Sequence, residues 1–219
     1  MVTNFSIKQL MKKKVHIGHA SNEWVSRLSI ILFNIRNEIH FIDLQHTIFL
    51  FRRALLFLNC IENQNYKILF LEKERNKLIK KDIRKTKNIL HECALQYDHF
   101  YLANKVRGGI LNNLKYSKKK HKNRIPNIFF ISNIKYYKSI ILESSKVNFI
   151  IIGLVDTNNS NFGLTYPIPT NDDNYYSINF FNTLIRNSID NASLFFNSNL
   201  LAQYRIKIIN NYYRNFRWL

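Results

Sequence analysis

An apolar run at residues 148–155, followed by a polar stretch that extends to Asp173, constrains this chain most. A short run rich in Ile and Val between polar residues is typical of a strand buried on both faces of a parallel sheet. The polar stretch contains Pro167 and Pro169, whose rings restrict the backbone, so it predicts a stiff loop. Loops at the ends of such strands commonly carry the functional residues of α/β proteins.

The loop ends in Asp172 and Asp173, just before a helical pattern that begins near Ser177. Carboxylates accept backbone N–H groups at helix starts, so we expect one of the two to cap this helix. Asp156 stands at the end of the apolar run. The sequence therefore predicts an architectural clamp at this loop rather than a reaction centre.

Short apolar segments alternate with longer amphipathic ones along the chain. Helical spacing is clear at residues 51–58 and 178–185. Such alternation predicts an α/β fold with a parallel sheet covered by helices. The predicted strands are Ile39–Leu44, Lys67–Leu71, His99–Ala103, Asn127–Ser132 and Phe149–Asp156.

The charge of the chain indicates a polyanionic partner. Its 219 residues carry 33 Lys and Arg against 14 Asp and Glu, a formal net charge of +19. Such an excess is self-repulsive unless a polyanion neutralises it, which favours nucleic acid as the partner. The apolar runs are shorter than the roughly 20 residues that span a bilayer, so we expect no membrane insertion.

Cysteine usage and residue bias bear on the compartment. Cys60 and Cys93 lack metal-ligand spacing, and we expect both to be free thiols in a reducing compartment. The first residues leave no room for a transit peptide, so we expect none. Abundant Asn, Ile, Lys, Phe and Tyr indicate an AT-rich genome. We therefore expect a protein made inside an organelle, with the mitochondrion favoured over a plastid-type compartment.

Three ordered motifs carry a family resemblance. Residues 10–19 read Leu-Met-Lys-Lys-Lys-Val-His-Ile-Gly-His, residues 36–44 read Arg-Asn-Glu-Ile-His-Phe-Ile-Asp-Leu, and residues 104–113 contain a Gly-Gly turn. Together with Asp-Thr-Asn at 156–158 and Asn-Asp-Asp at 171–173, they resemble the ribosomal protein S2 family of the small subunit. The resemblance extends from about residue 7 to residue 192.

The resemblance implies a flavodoxin-like fold, with a parallel sheet flanked by helices on both faces. It also implies a structural protein of the small ribosomal subunit that binds rRNA and neighbouring ribosomal proteins, not an enzyme and not a homo-oligomer. The family's long basic helical hairpin is largely deleted here, between Asn113 and Pro126. Other departures are Ile17 for an aromatic residue, Val106 for a tryptophan and Thr170 for a glycine.

The candidate site residues form two sets. Basic clusters position a protein on phosphates without reading sequence, although solvated surface lysines are the alternative for each residue. A glycine turn lets backbone approach a phosphate, or is simply a turn. The residues expected to contact rRNA are Lys12, Lys13, Lys14, Arg107, Gly108, Gly109, Lys115, Lys118, Lys119, Lys120, Lys122 and Arg124. The residues that the resemblance assigns to family motifs are His16, Gly18, His19, Arg36, Asn37, Asp43, Asp156, Thr157, Asn158, Pro167, Pro169, Asn171, Asp172 and Asp173.

Two alternatives give the histidine motif a chemical role. His16-Ile17-Gly18-His19 also matches a signature of class I aminoacyl-tRNA synthetases, but the chain is short for such an enzyme and a Lys-rich helix precedes the motif. His16 and His19 with Asp156, Asp172 and Asp173 form a possible Mg or Zn site, against a purely hydrogen-bonding role. We expect no cofactor and no catalytic residue.

The chain is predicted to form one α/β domain at residues 1–192, followed by an extension at residues 193–219. Basic and aromatic residues alternate in this extension, including Tyr204, Arg205, Arg217 and Trp218. Such a tail suits RNA or a neighbouring protein, and a solvated terminal helix is the alternative. We expect the protein in the mitochondrial matrix, in the small subunit of the mitoribosome.

Overall fold

The computed structural model describes residues 5–64, 66–73, 88–103, 109, 126–160 and 163–194. The chain begins with α1 (Ile7–Lys12), where Ser6 and Gln9 form a reciprocal capping box. Strands β1 (Ile17–Ala20), β2 (Leu32–Arg36) and β3 (Ile39–Ile42) then form a small antiparallel sheet in the order β1-β3-β2. Short 3-10 turns at Ser21–Glu23 and Ser26–Ile31 connect β1 to β2.

The third strand corrects one prediction. The segment Ile39–Leu44 was expected in the parallel sheet, but β3 pairs antiparallel with β1 and β2 and ends at Ile42. A two-residue turn, Asn37 and Glu38, both with positive φ, folds β2 back onto β3. The strand stops there because Asp43 caps the next helix, its Oδ1 accepting from Gln45 N at 2.8 Å.

The main sheet has five parallel strands, β4 (Ile68–Leu71), β5 (Phe100–Leu102), β6 (Ile128–Ile131), β7 (Ile150–Val155) and β8 (Tyr166–Pro169). Their order is β5-β4-β6-β7-β8. Numbered along the chain within this sheet, that order is 2-1-3-4-5, the order of flavodoxin-like folds. The predicted fold class is confirmed, and four predicted strands match observed ones to within one residue at each end.

The segment with two prolines, expected to be a loop, contains edge strand β8. Pro167 pairs in register with Gly153, and Pro169 with Val155. Thr170 N donates to Val155 O at 2.8 Å, and since backbone N–H groups alternate along a strand, the proline nitrogens face the open edge. Proline is tolerated at an edge strand for this reason.

Helices cover both faces of the sheet. Residues of α2 (Leu44–Asn63), α3 (Ile89–Gln96) and the helix at residues 175–194, called α5, pack on one face with Phe130 and Ile152. The helix α4 (Lys138–Lys146), preceded by a 3-10 turn at Ile134–Tyr136, packs on the other with Phe129 and Ile151. Adjacent strand residues thus enter opposite cores, as the period of two requires.

No helix in the described part of the chain is long and apolar enough to cross a membrane.

Candidate functional site

The His-Ile-Gly-His segment lies against the loops that follow β7 and β8. Asn171 connects them, its backbone N donating to Val15 O at 3.2 Å and its Nδ2 to Ile17 O at 2.7 Å. Asn174 Nδ2 donates to Lys13 O at 3.1 Å. We call this contact of residues 13–19 with residues 156–159 and 170–174 the junction. It joins residues that are 138 to 161 positions apart in sequence.

Thr157 fixes the position of the N-terminal strand in the junction. Its Oγ1 accepts from His19 N at 2.9 Å, and its carbonyl accepts from Val25 N at 3.0 Å. A Cβ at Gly18 would lie 2.5 Å from Thr157 Cγ2 and 3.1 Å from His40 O. Glycine is therefore required at position 18 because the Thr157 side chain occupies the space that any side chain would need.

Asp156 is the buried centre of the junction. Its Oδ1 accepts from Thr157 N at 2.6 Å, and its Oδ2 accepts from Asp172 N at 3.1 Å. His19 lies between two carboxylates, with Nδ1 3.2 Å from Asp156 Oδ1 and Nε2 2.9 Å from Asp173 Oδ2. The Asp156 contact raises the pKa of His19 above its ordinary value, although desolvation by burial acts in the opposite direction.

Asp172 is the second buried carboxyl group of the junction. Burial, followed by the charges of Asp156 and Asp173, raises the pKa of Asp172 from its ordinary 3.8 to about 7. Its Oδ2 accepts from Asn159 Nδ2 at 2.8 Å, whereas its Oδ1 has no hydrogen-bond partner among the described residues. A single donor does not offset the cost of burying the charged form.

Neither Asp172 nor Asp173 caps the following helix, which corrects the sequence prediction. Asn174 is the capping residue, because α5 begins at residue 175 and Asn174 Oδ1 accepts from Tyr176 N at 3.0 Å. Asn171 Oδ1 accepts from the backbone nitrogens of Asp173 and Asn174. Instead, the Asp173 carboxylate lies 2.9 Å from His19 Nε2, and the Asp172 carboxylate accepts from Asn159 Nδ2 while the Asp172 backbone N donates to Asp156.

The two histidines of the proposed metal site have different surroundings. His16 stacks on Phe41 with ring centroids 5.7 Å apart, and burial lowers the pKa of His16. Only His19 contacts carboxylates of the loop. Among the described residues, no group of three or more His, Cys, Asp or Glu side chains has an arrangement that could hold a metal ion. The residues that match the synthetase signature, His16 to His19, form part of the junction.

A cationic groove borders the junction. Lys12, Lys13 and Lys14 line it together with Asn171, Asp173, Asn174, Tyr176 and Ile17, and its volume is about 640 Å³. Within the described ranges, no carboxylate lies within 4 Å of any of the three ammonium groups. These lysines were predicted to bind RNA, and the structure brings them to one surface.

The other predicted residues are dispersed. Gly109 has φ 88°, as in a turn, and its N donates to the Glu143 carboxylate, so this N–H already has an anionic partner. Arg36 and Asn37 lie at the β2–β3 turn, and Asn158 is half-buried beside Thr157. Outside the described residues lie Arg107, Gly108, Lys115, Lys118, Lys119, Lys120, Lys122 and Arg124.

Sequence reasoning missed Asn159, Asn174 and Tyr176. The signal for Asn174 was ambiguous, because Asp and Asn have similar N-cap preferences and Asp172, Asp173 and Asn174 are consecutive. Asn159 and Tyr176 carried no signal of their own, since their roles depend on groups distant in sequence.

Comparison with known proteins identifies the family to which this chain is similar. The family model described as Ribosomal protein S2 matches residues 10–123 and 115–192. The small ribosomal subunit protein uS2 of Ehrlichia ruminantium (strain Gardel) is 26% identical over 226 residues, covering 84% of this chain and 76% of that protein. The uS2 protein of Colwellia psychrerythraea is 23% identical over 230 residues, covering 86% and 91%. That of Shewanella loihica is 24% identical over 214 residues, covering 78% and 85%.

The alignments with these relatives are longer than the matched part of this chain, which indicates that this chain lacks residues that the relatives have. For the Ehrlichia protein, 84% of 219 residues is about 184, whereas the alignment spans 226 positions. This chain therefore has about 42 gap positions within the matched region. The two family matches overlap at residues 115–123, the place where the sequence predicts a deleted hairpin.

Replacement of Gly18 with Ala should destabilise the protein by about 1–3 kcal/mol, because the new methyl group overlaps Thr157. Urea unfolding followed by circular dichroism measures this change. Adding Thr157→Ala should recover part of the loss, because it removes the overlapping atoms. Gly153→Ala is the control, since its Cβ would meet no atom closer than the flexible side-chain ends of Leu164 at 3.1 Å and Ile134 at 3.4 Å. Equal losses in Gly18→Ala and Gly153→Ala would contradict the close contact.

The titration of Asp172 predicts that stability falls as the pH rises. Between 3.8 and about 7 the folded state binds a proton that the unfolded state has released, so the free energy of unfolding decreases with pH across this range. The raised pKa of His19 acts in the same direction at higher pH, because its stabilising proton is lost as the pH passes the folded pKa. Melting temperatures measured from pH 4 to pH 8 should therefore decline, against an opposing contribution from His16, whose lowered pKa adds stability as the pH rises.

The variant Asp172→Asn should flatten this decline, because it keeps the shape and removes the titration. Asp98→Asn serves as the control, since the Asp98 side chain is 95% exposed and contacts Lys67 at the surface. An Asp172→Asn protein with as steep a decline as the parent would show that another group is responsible.

Proposed function

This chain belongs to the ribosomal protein S2 family, and from that premise we propose that it binds rRNA and neighbouring ribosomal proteins. As a member of this family, it is a structural constituent of the small ribosomal subunit and is located on the ribosome. It is not an enzyme. The observation that carries the rRNA proposal is the groove with Lys12, Lys13 and Lys14 on one surface. In the part of the chain that the structure describes, these three ammonium groups have no carboxylate partner, which suits contact with a phosphate backbone.

The rest of the chain supports the same partners. The net charge of +19 requires neutralisation in a compact protein, and rRNA supplies the opposite charge. Two large apolar side chains at and just before β2 are exposed, since Ile30 and Phe33 are each 76% accessible. Such exposure is typical of surfaces that other proteins cover.

The shortened insertion supplies further basic residues. Lys115, Lys118, Lys119, Lys120, Lys122 and Arg124 lie within ten residues of each other in sequence, and Arg107 precedes them next to Gly108 and Gly109. We infer that this segment contacts rRNA phosphates where relatives have a longer insertion. A cluster of cations positions the protein by charge and does not need to read bases.

Replacement of Lys118, Lys119, Lys120, Lys122 and Arg124 with Ser should weaken binding to small-subunit rRNA and reduce its salt dependence. Each lost contact to a duplex phosphate lowers the slope of log affinity against log salt by about 0.9. Filter binding at several salt concentrations, together with co-sedimentation with the small subunit, measures both effects.

The control replaces Lys138 and Lys146, two exposed residues at the ends of α4, with Ser. These changes should leave the slope near that of the parent protein. A slope that the insertion variant leaves unchanged would rule out its phosphate contacts, and failure of the parent protein to bind rRNA would overturn the proposed function.

We further propose that the protein works in a mitochondrial ribosome. The support is the residue usage, in which Asn, Ile, Lys, Phe and Tyr predominate, as an AT-rich genome produces. The chain should therefore be recovered by mass spectrometry from mitochondrial small subunits. Recovery from plastid or cytoplasmic ribosomes alone would contradict this placement while leaving the family assignment intact.

A further inference from the structure

The groove beside the junction has two chemically different walls. Lys12, Lys13 and Lys14 form the cationic wall at the end of α1, whereas Asn174 and Tyr176 belong to the start of α5. Its volume of about 640 Å³ is within the range, roughly 300–1,000 Å³, of sites that accept small organic groups. The groove therefore has space for a group larger than a phosphate.

Hydrogen bonds of the junction hold the two walls together. Asn174 Nδ2 donates to Lys13 O, and Asn171 N donates to Val15 O. The same Asn174 side chain caps α5 by accepting from Tyr176 N. The lysine backbone and the first turn of α5 are thus fixed relative to each other, so little ordering is needed when a ligand enters.

The charge of the groove favours an anion. Asp173 is the carboxylate among its lining residues, and its Oδ2 lies 2.9 Å from His19 Nε2. The imidazole offsets this charge, while no described carboxylate lies within 4 Å of any of the three lysine ammonium groups. The groove consequently has a positive balance that a phosphodiester group would neutralise.

Tyr176 adds a flat apolar surface to this charge. Its side chain is 65% exposed although it is a large aromatic residue in the first turn of a helix. Lys13 Nζ lies 5.9 Å from the ring centroid, at the outer limit of a cation–π contact. At that distance the ammonium group remains able to contact a phosphate while the ring accepts a planar partner.

We propose that this groove binds an unpaired nucleotide of RNA, with its base stacked on Tyr176 and its phosphate held by Lys12, Lys13 and Lys14. Lysines alone would suit duplex and single strands alike, whereas an exposed aromatic ring needs a base whose face is free. The inference rests on the proposed rRNA binding and specifies the form of RNA at this surface, a loop, bulge or single-stranded segment.

The test uses the full chain and two fluorescein-labelled probes, an oligouridylate of about ten nucleotides and an RNA duplex of the same length. Anisotropy titrations with Tyr176→Ala should show weaker binding of the single strand by about 5-fold to 150-fold, the range that one base–aromatic stack gives. Duplex binding should stay at the parent level. Tyr176→Phe should restore single-strand binding, because the ring is what stacks.

Two further variants separate stacking from charge and from folding. Tyr66→Ala is the matched control, since this tyrosine is 55% exposed and precedes β4, which lies next to the edge strand β5, whereas the groove lies beside the loop after the other edge strand, β8. It should bind both probes as the parent does. Replacing Lys12, Lys13 and Lys14 with Gln should weaken both probes and lower the single-strand salt slope by about 0.7 for each lost phosphate contact.

The outcomes distinguish this inference from the proposed function. If the parent protein binds RNA and Tyr176→Ala binds the single strand equally well, the stacking site is overturned while rRNA binding stands. If Tyr176→Ala binds both probes normally but is lost from assembled small subunits, the groove contacts a protein and the inference is wrong. If the parent protein binds neither probe at low salt, the proposed function fails together with the inference.

Discussion

The buried carboxylate of Asp156 is the interaction on which the rest of the junction depends. Transfer of a carboxylate from water into the protein costs several kcal/mol, so it persists only where donors surround it. Here the backbone N–H groups of Thr157 and Asp172 and the Thr157 hydroxyl donate to it, and the imidazole of His19 lies 3.2 Å away. These partners come from three segments, so satisfying one carboxylate fixes the N-terminal strand and both loops in one arrangement. Removing a partner from such a buried group is therefore costly, whereas surface charges contribute little.

The junction does not lie where ligands usually bind in a flavodoxin-like fold. Ligands in such folds bind where the strand order reverses, here between β4 and β6. Glu72, directly after β4, accepts from Tyr101 Oη at 3.3 Å and from Asn182 Nδ2 at 3.1 Å, while its carbonyl accepts from Tyr137 Oη at 2.9 Å. Internal contacts occupy this position, and the junction develops instead at the ends of β7 and β8.

The junction also connects the fold to its function. It holds the end of α1, with three lysines, against the first turn of α5, so charge and an aromatic ring meet in one groove. Thr170 shows how closely the loop is packed: its hydroxyl lies 2.9 Å from Ser177 Oγ in a fully buried position where relatives are expected to have glycine. Such rigidity suits the proposed binding of rRNA, because charges that are already fixed need little ordering when they meet a phosphate backbone.

The sequence by itself determined the α/β class, four of the parallel strands and the two segments that form the junction. Periodicity and residue type act locally, which is why the apolar run before Asp156 and the helical pattern after Asp173 were identified correctly. It did not determine the strand at Tyr166–Pro169, because proline excludes a central strand but not an edge, and only the tertiary structure decides which strand is at the edge. It also did not distinguish Asn174 from Asp172 and Asp173 as the helix cap. That choice depends on His19, which pairs with the Asp173 carboxylate, and on Asp156, which accepts from the backbone N of Asp172, and these groups meet only once the chain has folded.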